Sequence, residues 1–357
     1  MCSYRKASEH LLRRLTIGSV EKEHYFVSKN SNIMKFGIIG LGNHATARVM
    51  PAISEAGHQI TAIYSRNIEK ARKEGMRYNS TPFDNLETFF TNGDTDAIYI
   101  ASPNFMHYDQ TKIALSAGKH VLLEKQMTLK NEHAEELVKI SEKEKLTLGI
   151  GFHLRFHPAV NDIRKAISKG ELGEIIHISG MWAGPPSGAK VTPDTQWWRE
   201  DEKAGGGSIM ATGVHVIDTI NYVLGRVPDR VSAFRKPAAQ IIEKTQQVNM
   251  DYGETTAEAI SSRAISHPLN NLTIFGTNGT LTATGVFSVK VESSLIRDGR
   301  KLKDYAGVNM YREETRAFVK AIQGEENMIA RGTDGCNVVK IVSAAFRSDT
   351  ENIVAEP

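Results

Sequence analysis

Short apolar runs separated by amphipathic stretches set the pattern from Met34 onward. Lys35-Phe36-Gly37-Ile38-Ile39-Gly40, Gln59-Ile60-Thr61-Ala62-Ile63-Tyr64, Asp96-Ala97-Ile98-Tyr99-Ile100 and His120-Val121-Leu122-Leu123 are near-continuous runs rather than in/out alternations. Strands buried on both faces of a parallel sheet read this way. Between them the spacing predicts helices through Arg48, Ile53 and Ala56, over Asn67–Arg77, and from His107 through Ala114 to Ala117, where Gly118 ends the run. A helix over Asn131–Lys143 and a strand near Leu146–Gly151 follow. This β–α–β succession is the signature of an α/β domain.

From Gly151 the pattern changes. A helix through Ile163 and Ile167 precedes a strand at Ile175–Gly180, and a Gly/Pro-rich loop runs from Gly184 to Pro193. Gly205-Gly206-Gly207 then opens an apolar helix from about Ser208 to Tyr222, with Gly225 beyond it. From Val231 to about Val291, β-like runs such as Leu272-Thr273-Ile274-Phe275 alternate with glycine turns including Asn278-Gly279, which predicts an antiparallel sheet. Phe318, Ile322 and the amphipathic run Val338–Phe346 read as closing helices. The expected division is a polar extension at 1–33, a dinucleotide-binding domain at 34–154, and an α+β domain at 155–357 with closing helices near 310–347.

Composition narrows the functional class. With 357 residues, 40% hydrophobic and 24% charged, the chain suits two globular domains. Its 44 Lys+Arg against 41 Asp+Glu give a net charge of +3, which predicts neither nucleic-acid nor membrane partners. No run approaches the ~20 apolar residues of a membrane span. Cys2 and Cys336 are far apart and in no metal-ligand spacing, so a reducing, cytoplasmic compartment and no metal site are expected. The first 33 residues carry Arg5, Lys6, Arg13, Arg14, Lys22 and Lys29 and lack a secretory apolar core. They read as a loosely attached tail or as translation from too early a start codon.

The chemistry-bearing residues lie where strands end. The first strand runs into Gly40-Leu41-Gly42-Asn43-His44-Ala45, a G-x-G-x-x-A turn opening a helix. There the glycines permit a tight turn and close approach of a pyrophosphate to backbone N–H groups, at the positive end of a helix. The second strand ends in Ser65-Arg66 where an NAD site usually presents a carboxylate. A guanidinium and a hydroxyl suit a 2′-phosphate, so NADP is preferred and NAD remains open; Ser65 can equally cap the Asn67–Arg77 helix. Ser102 and Asn104 follow the next strand, with His107 opening its helix, and either contact the coenzyme or form the turn. The strand ending at Leu123 leads to Glu124-Lys125-Gln126, an ionic pair whose ammonium is placed to donate a proton or hold a substrate oxygen. His215 lies between Val214 and Val216 in an apolar helix, where a buried packing residue is the commoner reading than a catalyst. Arg155 and His157 precede Pro158 and are read either as substrate contacts or as a structural bridge and helix start. Trp197, Trp198 and Arg199 form a sugar-stacking platform or pack a loop. Asp218 either orients His215 or pairs elsewhere.

Taken in order, these motifs resemble the Gfo/Idh/MocA family, named for glucose–fructose oxidoreductase, inositol dehydrogenase and a rhizopine-catabolism protein. The resemblance runs over nearly everything after Met34. It rests on Gly40–Ala45, Ser65-Arg66, Ser102-Pro103-Asn104 with His107, Ala117-Gly118-Lys119-His120-Val121 leading to Glu124-Lys125, Arg155-Phe156-His157-Pro158, and Gly205-Gly206-Gly207 with His215. It implies an N-terminal Rossmann domain and a C-terminal α+β domain whose largely antiparallel open sheet often joins subunits into homodimers or tetramers. It implies NAD(P)-dependent hydride transfer to or from a secondary hydroxyl or carbonyl of a sugar, sugar phosphate or cyclitol. Lys125 and His215 inherit substrate binding and proton transfer.

Two positions depart from the family pattern. The family's Glu-Lys-Pro is here Glu-Lys-Gln, which removes the φ restraint of proline after Lys125. Many members carry Asp four residues before the histidine, where this chain has Ala211; Thr212 points about 100° around the helix and is no substitute. These departures keep two alternatives open: an NADP(H)-binding regulator without catalysis, and a reductase of imines or other unsaturated molecules, which needs a single proton donor.

Overall fold

The computed structural model describes residues 33–186, 192, 195–238 and 240–357. The polar extension, apart from Ile33, lies outside the described residues, as do Cys2 and most of the Gly/Pro loop ahead of Trp197. The chain divides into two compact units. One takes in the chain up to Met127, Glu132–Gly151 and Tyr311–Gly332; the other takes in Thr128–Asn131, Phe152–Met310 and Thr333–Pro357.

The first unit is built on the apolar runs. β1 (Lys35–Ile39), β2 (Gln59–Tyr64), β3 (Thr81–Phe83), β4 (Ala97–Ile100), β5 (His120–Leu123) and β6 (Leu148–Ile150) pair in parallel, in spatial order 6-5-4-1-2-3. Ala330–Arg331 adds antiparallel to β6. This is the doubly wound order, and its switch point lies between β1 and β4, where such sheets take their ligands. The runs are continuous because both faces are covered: Ile38, Ile39, Ile98, Tyr99, Val121, Leu122 and Leu123 are fully buried. Each such side chain contributes about 1.5–3 kcal/mol by leaving water. The helix Ile68–Tyr78 is capped by Asn67, whose side chain accepts from the Glu69 and Lys70 amides. Ser65 therefore does not cap it; its Oγ accepts from the Asn67 amide at 3.2 Å, one step earlier. Tyr311–Gly332 belongs to this unit, whereas the linear division at 154/155 groups the closing helices with the second domain.

The second unit carries an eight-stranded sheet. β7 (Ile175–Ala183), β8 (Arg230–Lys236), β9 (Thr245–Asp251), β10 (Thr256–Ser262), β11 (Leu272–Gly276), β12 (Gly279–Thr284), β13 (Glu292–Arg297) and β14 (Arg300–Ala306) run in the order 14-13-12-11-7-10-9-8, antiparallel except for β7 against β10. In β9 (Thr245–Asp251) and β10 (Thr256–Ser262) alternate residues are buried, as expected of a sheet covered on one face. The helix Val214–Leu224 supplies that cover, with Val216, Ile217 and Ile220 fully buried. It is preceded by one π-turn, Ile209–Gly213, which the residue pattern did not predict.

His157 starts the helix Pro158–Ser168, its Nδ1 accepting from the Ala159 amide at 3.1 Å. His120 accepts likewise from the Thr147 amide at 2.9 Å. Burial pushes both imidazoles down from 6.5 to about 4, with Asp96 weakly opposing at His120. Both are neutral in the fold but protonate near 6.5 once unfolded, so stability falls as pH drops from about 6.5 toward 4. The slope is up to about 1.4 kcal/mol per pH unit for each histidine. Urea unfolding at about pH 7.5 and about pH 5 measures it, and His157→Asn, which keeps a cap, should shallow it. An unchanged slope in that variant contradicts the assignment.

Candidate functional site

In the first unit the ends of β1, β4 and β5 build one arrangement. Gly40 has φ +100, and a Cβ there would lie 2.6 Å from the Ala101 carbonyl carbon and oxygen and 2.7 Å from the Ser102 nitrogen. Glycine is required by both conformation and space. Gly42, by contrast, has nothing within 4 Å of its Cβ position and is exposed with Asn43, so the turn is approachable from solvent. The chain enters its helix here, the Thr46 amide and Oγ1 bonding Gly42 O at 3.1 and 3.2 Å. An open glycine turn at the start of a helix fits a dinucleotide's pyrophosphate.

Behind the turn, Glu124 is buried. Its Oε1 lies 3.0 Å from His44 Nε2 and accepts from the Tyr99 hydroxyl at 2.9 Å. A Cβ on Gly151 would come within 3.0 Å of that oxygen. Burial alone would raise the carboxyl's pKa; His44, Lys125 and Tyr99 together outweigh it and hold the group down at about 2. The expected Glu124–Lys125 pair is thus part of a larger set in which His44 and Tyr99 make the hydrogen bonds. His44 also meets Tyr311 edge-on at 5.3 Å, and Arg48 Nη1 donates to that hydroxyl at 3.5 Å. Lys125 is half-buried at the strand end, and its peptide bond to Gln126 is cis.

His107 is enclosed, with Nδ1 2.8 Å from Gln126 O and Nε2 2.8 Å from Ser102 O. Burial lowers its pKa, against the pull of those two carbonyls and of Glu124. Ser102 Oγ donates to Gln110 Oε1 at 2.5 Å, and Asn104 is buried at the head of a 3-10 turn, Asn104–Met106. The polar groups of Ser102, His107 and Glu124 therefore meet protein partners and hold the strand ends in place. Arg66 is exposed and forms no ion pair among the described residues; Leu41 and Ser65 are half-buried.

The second unit presents His215. Gly207 opens its helix because Glu243 crowds it: a Cβ there would lie 1.9 Å from Glu243 O. The Glu243 carboxylate accepts from the Gly207 amide (2.7 Å), the Ser208 hydroxyl (2.9 Å) and the Ile209 amide (2.7 Å). It caps the helix start from a distant loop. Burial raises its pKa against those donors. His215 is 3% exposed, its ring 4.8 Å from His153, 5.2 Å from Trp182 and 5.9 Å from Phe152. Thr212 Oγ1 bonds Ser208 O and Trp182 O at 3.1 and 3.3 Å, and so turns away from the role an acid at 211 would serve.

Arg155 sits in a buried ion-pair bridge. Its guanidinium donates to Asp218 from Nε and Nη2, at 2.6–3.2 Å, and to Asp334 from Nη1 at 3.3 Å, with the Tyr222 ring 4.9 Å away. This geometry fits the structural-bridge reading of Arg155 and gives Asp218 a partner in that bridge. Breaking such a buried pair costs about 3–5 kcal/mol.

Residues 34–152 match the Gfo/Idh/MocA oxidoreductase family, NAD-binding Rossmann fold, and residues 160–282 match the Gfo/Idh/MocA C-terminal domain. The chain belongs to the Gfo/Idh/MocA family. Among its Gfo/Idh/MocA relatives, 1,5-anhydro-D-fructose reductase of Ensifer adhaerens is 29% identical over 314 residues, covering 84% of this chain and 92% of that protein. D-xylose 1-dehydrogenase (NADP(+)) 2 of Haloferax volcanii is 26% identical, covering 88% and 97%. The crystal structure of aldose-aldose oxidoreductase from Caulobacter crescentus complexed with glycerol shares the fold, with TM-score 0.81 and 22% identity over 91% of this chain and 100% of that one.

In this Gfo/Idh/MocA member, residues that the sequence pattern left unmarked surround the helix of His215. Trp182 and His153 lie against His215, and Glu243 anchors the start of its helix, yet none stands in a local motif with it. The tryptophans singled out earlier, Trp197 and Trp198, instead stack on each other at 4.1 Å, with Arg263 over Trp198 at 5.4 Å and Arg199 exposed. Among the described residues no cluster of three or more His, Cys, Asp or Glu is placed to hold a metal, and no helix is long and apolar enough to cross a membrane.

Glu124→Gln removes the charge that His44 and Tyr99 meet. Hydrogen bonds to charged groups are worth about 1.5–3 kcal/mol, so NADPH binding should weaken by roughly 10- to 100-fold with the fold intact. Fluorescence titration of NADPH, with circular dichroism as control, measures this; wild-type affinity in the variant would contradict the coupling.

Proposed function

We propose that the protein is an NADP(H)-preferring oxidoreductase that interconverts a secondary hydroxyl and a carbonyl on a sugar, sugar phosphate or cyclitol. The observation that carries this reading is a buried imidazole, His215, set against the face of Trp182 on the helix that Glu243 anchors. An aromatic face suits the apolar side of a sugar ring, and an imidazole suits proton exchange with its hydroxyl. The relatives' names, a reductase of anhydrofructose and an NADP-linked xylose dehydrogenase, support the substrate class and the coenzyme. Arg66, exposed after β2 and without an ion pair among the described residues, supports recognition of a 2′-phosphate.

When bound, the nicotinamide supplies or receives the hydride. Gly40–Ala45 hold the pyrophosphate and Ser65-Arg66 the adenosine end. Lys125 steadies the substrate oxygen and the negative charge it develops. His215 takes the hydroxyl proton in oxidation and returns it in reduction. Trp198 and Arg199 remain secondary candidates for substrate contact. The open face of the eight-stranded sheet, polar at Gln247, Asn249 and Glu258 and apolar at Phe234 and Phe275, is the surface assigned to a second copy in a homo-oligomer. The cysteine usage supports a cytoplasmic setting.

His215→Ala and Lys125→Met should each lower turnover by about 10²–10⁴-fold while NADPH still binds. Arg66→Ala should erode the preference for NADP over NAD. Steady-state kinetics over sugars, sugar phosphates and cyclitols with both coenzymes measures all three. Near-wild-type turnover in both His215 and Lys125 variants would overturn the assignment, and tight NADPH binding without turnover on any substrate would favour the regulator.

A further inference from the structure

Arginines withdrawn from solvent in the second unit are matched by carboxylates, with one exception among the described residues. Arg155 meets Asp218 and Asp334, Arg235 meets Asp349 at 2.6 Å, and Arg297 lies 3.7 Å from Asp298. Arg263 is half-buried, yet its guanidinium makes no hydrogen bond or ion pair among the described residues. What it does meet is the half-buried Trp198, 5.4 Å from the ring centroid. Burial lowers the guanidinium's pKa, with the charge of Glu243 opposing. Both oxygens of that carboxylate are already taken by Gly207, Ser208 and Ile209. Of the charged residues flanking these groups in the chain, Arg199 and Lys244 are exposed, and Lys203 pairs with Glu200. The donors of Arg263 are thus left for a partner from outside the chain.

Strand register ties this group to the side of the sheet that carries His215. β7 and β10 run in parallel, with Trp182 opposite Ser261 and Ala183 opposite Ser262. The ladder continues past the strands, the Gly184 amide donating to Ser262 O at 2.9 Å and the Arg263 amide to Lys244 O at 2.7 Å. Ser261 is buried on the helix-covered face, its Oγ 3.2 Å from that of Ser208. Two residues on, alternation brings Arg263 to the same face, about 7 Å further along. Trp182, opposite Ser261, places its ring 5.2 Å from His215. The imidazole, the Trp182 face and the Trp198–Arg263 pair therefore succeed one another toward the carboxyl ends of β7 and β10.

We propose that Arg263, backed by the Trp198 ring, is a specificity residue that binds an oxyanion on the substrate, so that the chain acts on sugars bearing a phosphate ester or a carboxylate. This rests on the reading of the His215 region as the place where a sugar-like substrate reacts, and it narrows that substrate to an anionic one. A planar guanidinium meets either oxyanion through two parallel N–H donors, and stacking on an indole leaves that edge open. Two strand residues, about 7 Å, are comparable with the reach from a carbonyl within a hexose chain to a group on its last carbon.

Fructose, fructose 6-phosphate and fructuronate share a carbonyl at C2 and differ at C6, and inorganic phosphate is the bare anion. Calorimetric titration of the NADPH-loaded protein with each, in wild type, Arg263→Gln and Arg263→Lys, tests the assignment. NADPH occupies the coenzyme's own phosphate sites, so these do not compete. Wild type should bind one of the anionic ketoses at least about tenfold more tightly than fructose, and Arg263→Gln should bring the two within about twofold. Arg263→Lys should keep part of the preference, and the better of the two anions tells phosphate from carboxylate. No preference for either anionic ketose in wild type, or no saturable binding of any anion, inorganic phosphate included, would overturn the proposal. So would a full wild-type preference in Arg263→Gln that circular dichroism shows to be folded. If that variant does not fold, an undiminished preference in Arg263→Lys overturns it instead. Turnover separates the two levels: an Arg263-dependent preference without hydride transfer sinks the oxidoreductase reading and leaves the anion subsite, whereas turnover of neutral sugars without that preference sinks only the subsite.

Discussion

A buried carboxylate organises the coenzyme end of this molecule. Leaving Glu124 charged inside the first unit is unfavourable unless its oxygens are well met, and His44 and Tyr99 meet one of them at 3.0 and 2.9 Å. Those partners come from the glycine-rich turn after β1 and from β4, while Glu124 itself ends β5. Satisfying one charge therefore fixes three strand ends relative to one another at the switch point of the sheet. Lys125, the next residue, inherits that rigidity. His107 adds a second brace by reaching the carbonyls of Ser102 and Gln126 on either side.

The second unit solves the same problem with different residues. Its Gly-rich helix start needs partners for unpaired amides, and Glu243 supplies them from the turn between two strands. Arg155 binds Asp218 and Asp334, joining the segment after β6 to two helices. Both devices hold the helix that carries His215, one at its start and one along its side. The imidazole itself lies among rings, with His153 at 4.8 Å and Trp182 at 5.2 Å.

Much of this was legible in the residue pattern, and the gaps have physical causes. The parallel strands announce themselves because burial on both faces leaves continuous apolar runs, and Gly40–Ala45 because a tight turn between strand and helix admits few residue types. Asn67 as helix cap was readable too, since it stands directly before the first helical turn. Contacts across long sequence separations were not legible. Glu243 meets Gly207 across 36 residues and Arg155 meets Asp334 across 179, with no periodicity to mark either. For the same reason Arg155 could be read as a substrate contact as readily as a structural bridge. The π-turn at Ile209–Gly213 leaves no trace in hydrophobic spacing, and the return of Tyr311–Gly332 to the first unit depends on packing that a linear division misses.

On the reading proposed above, this chain moves hydride between a nicotinamide and a carbon bearing oxygen in a sugar-like molecule. Incubation with NADPH deuterated at the transferring 4-position, together with a panel of ketoses and keto-sugars, tests it most directly when products are read by mass spectrometry and NMR. The account predicts one deuterium on the new carbinol carbon of at least one product, in a single stereochemical sense and absent without the protein. Deuterium retained in the coenzyme across the whole panel, despite saturating NADPH binding, would contradict it.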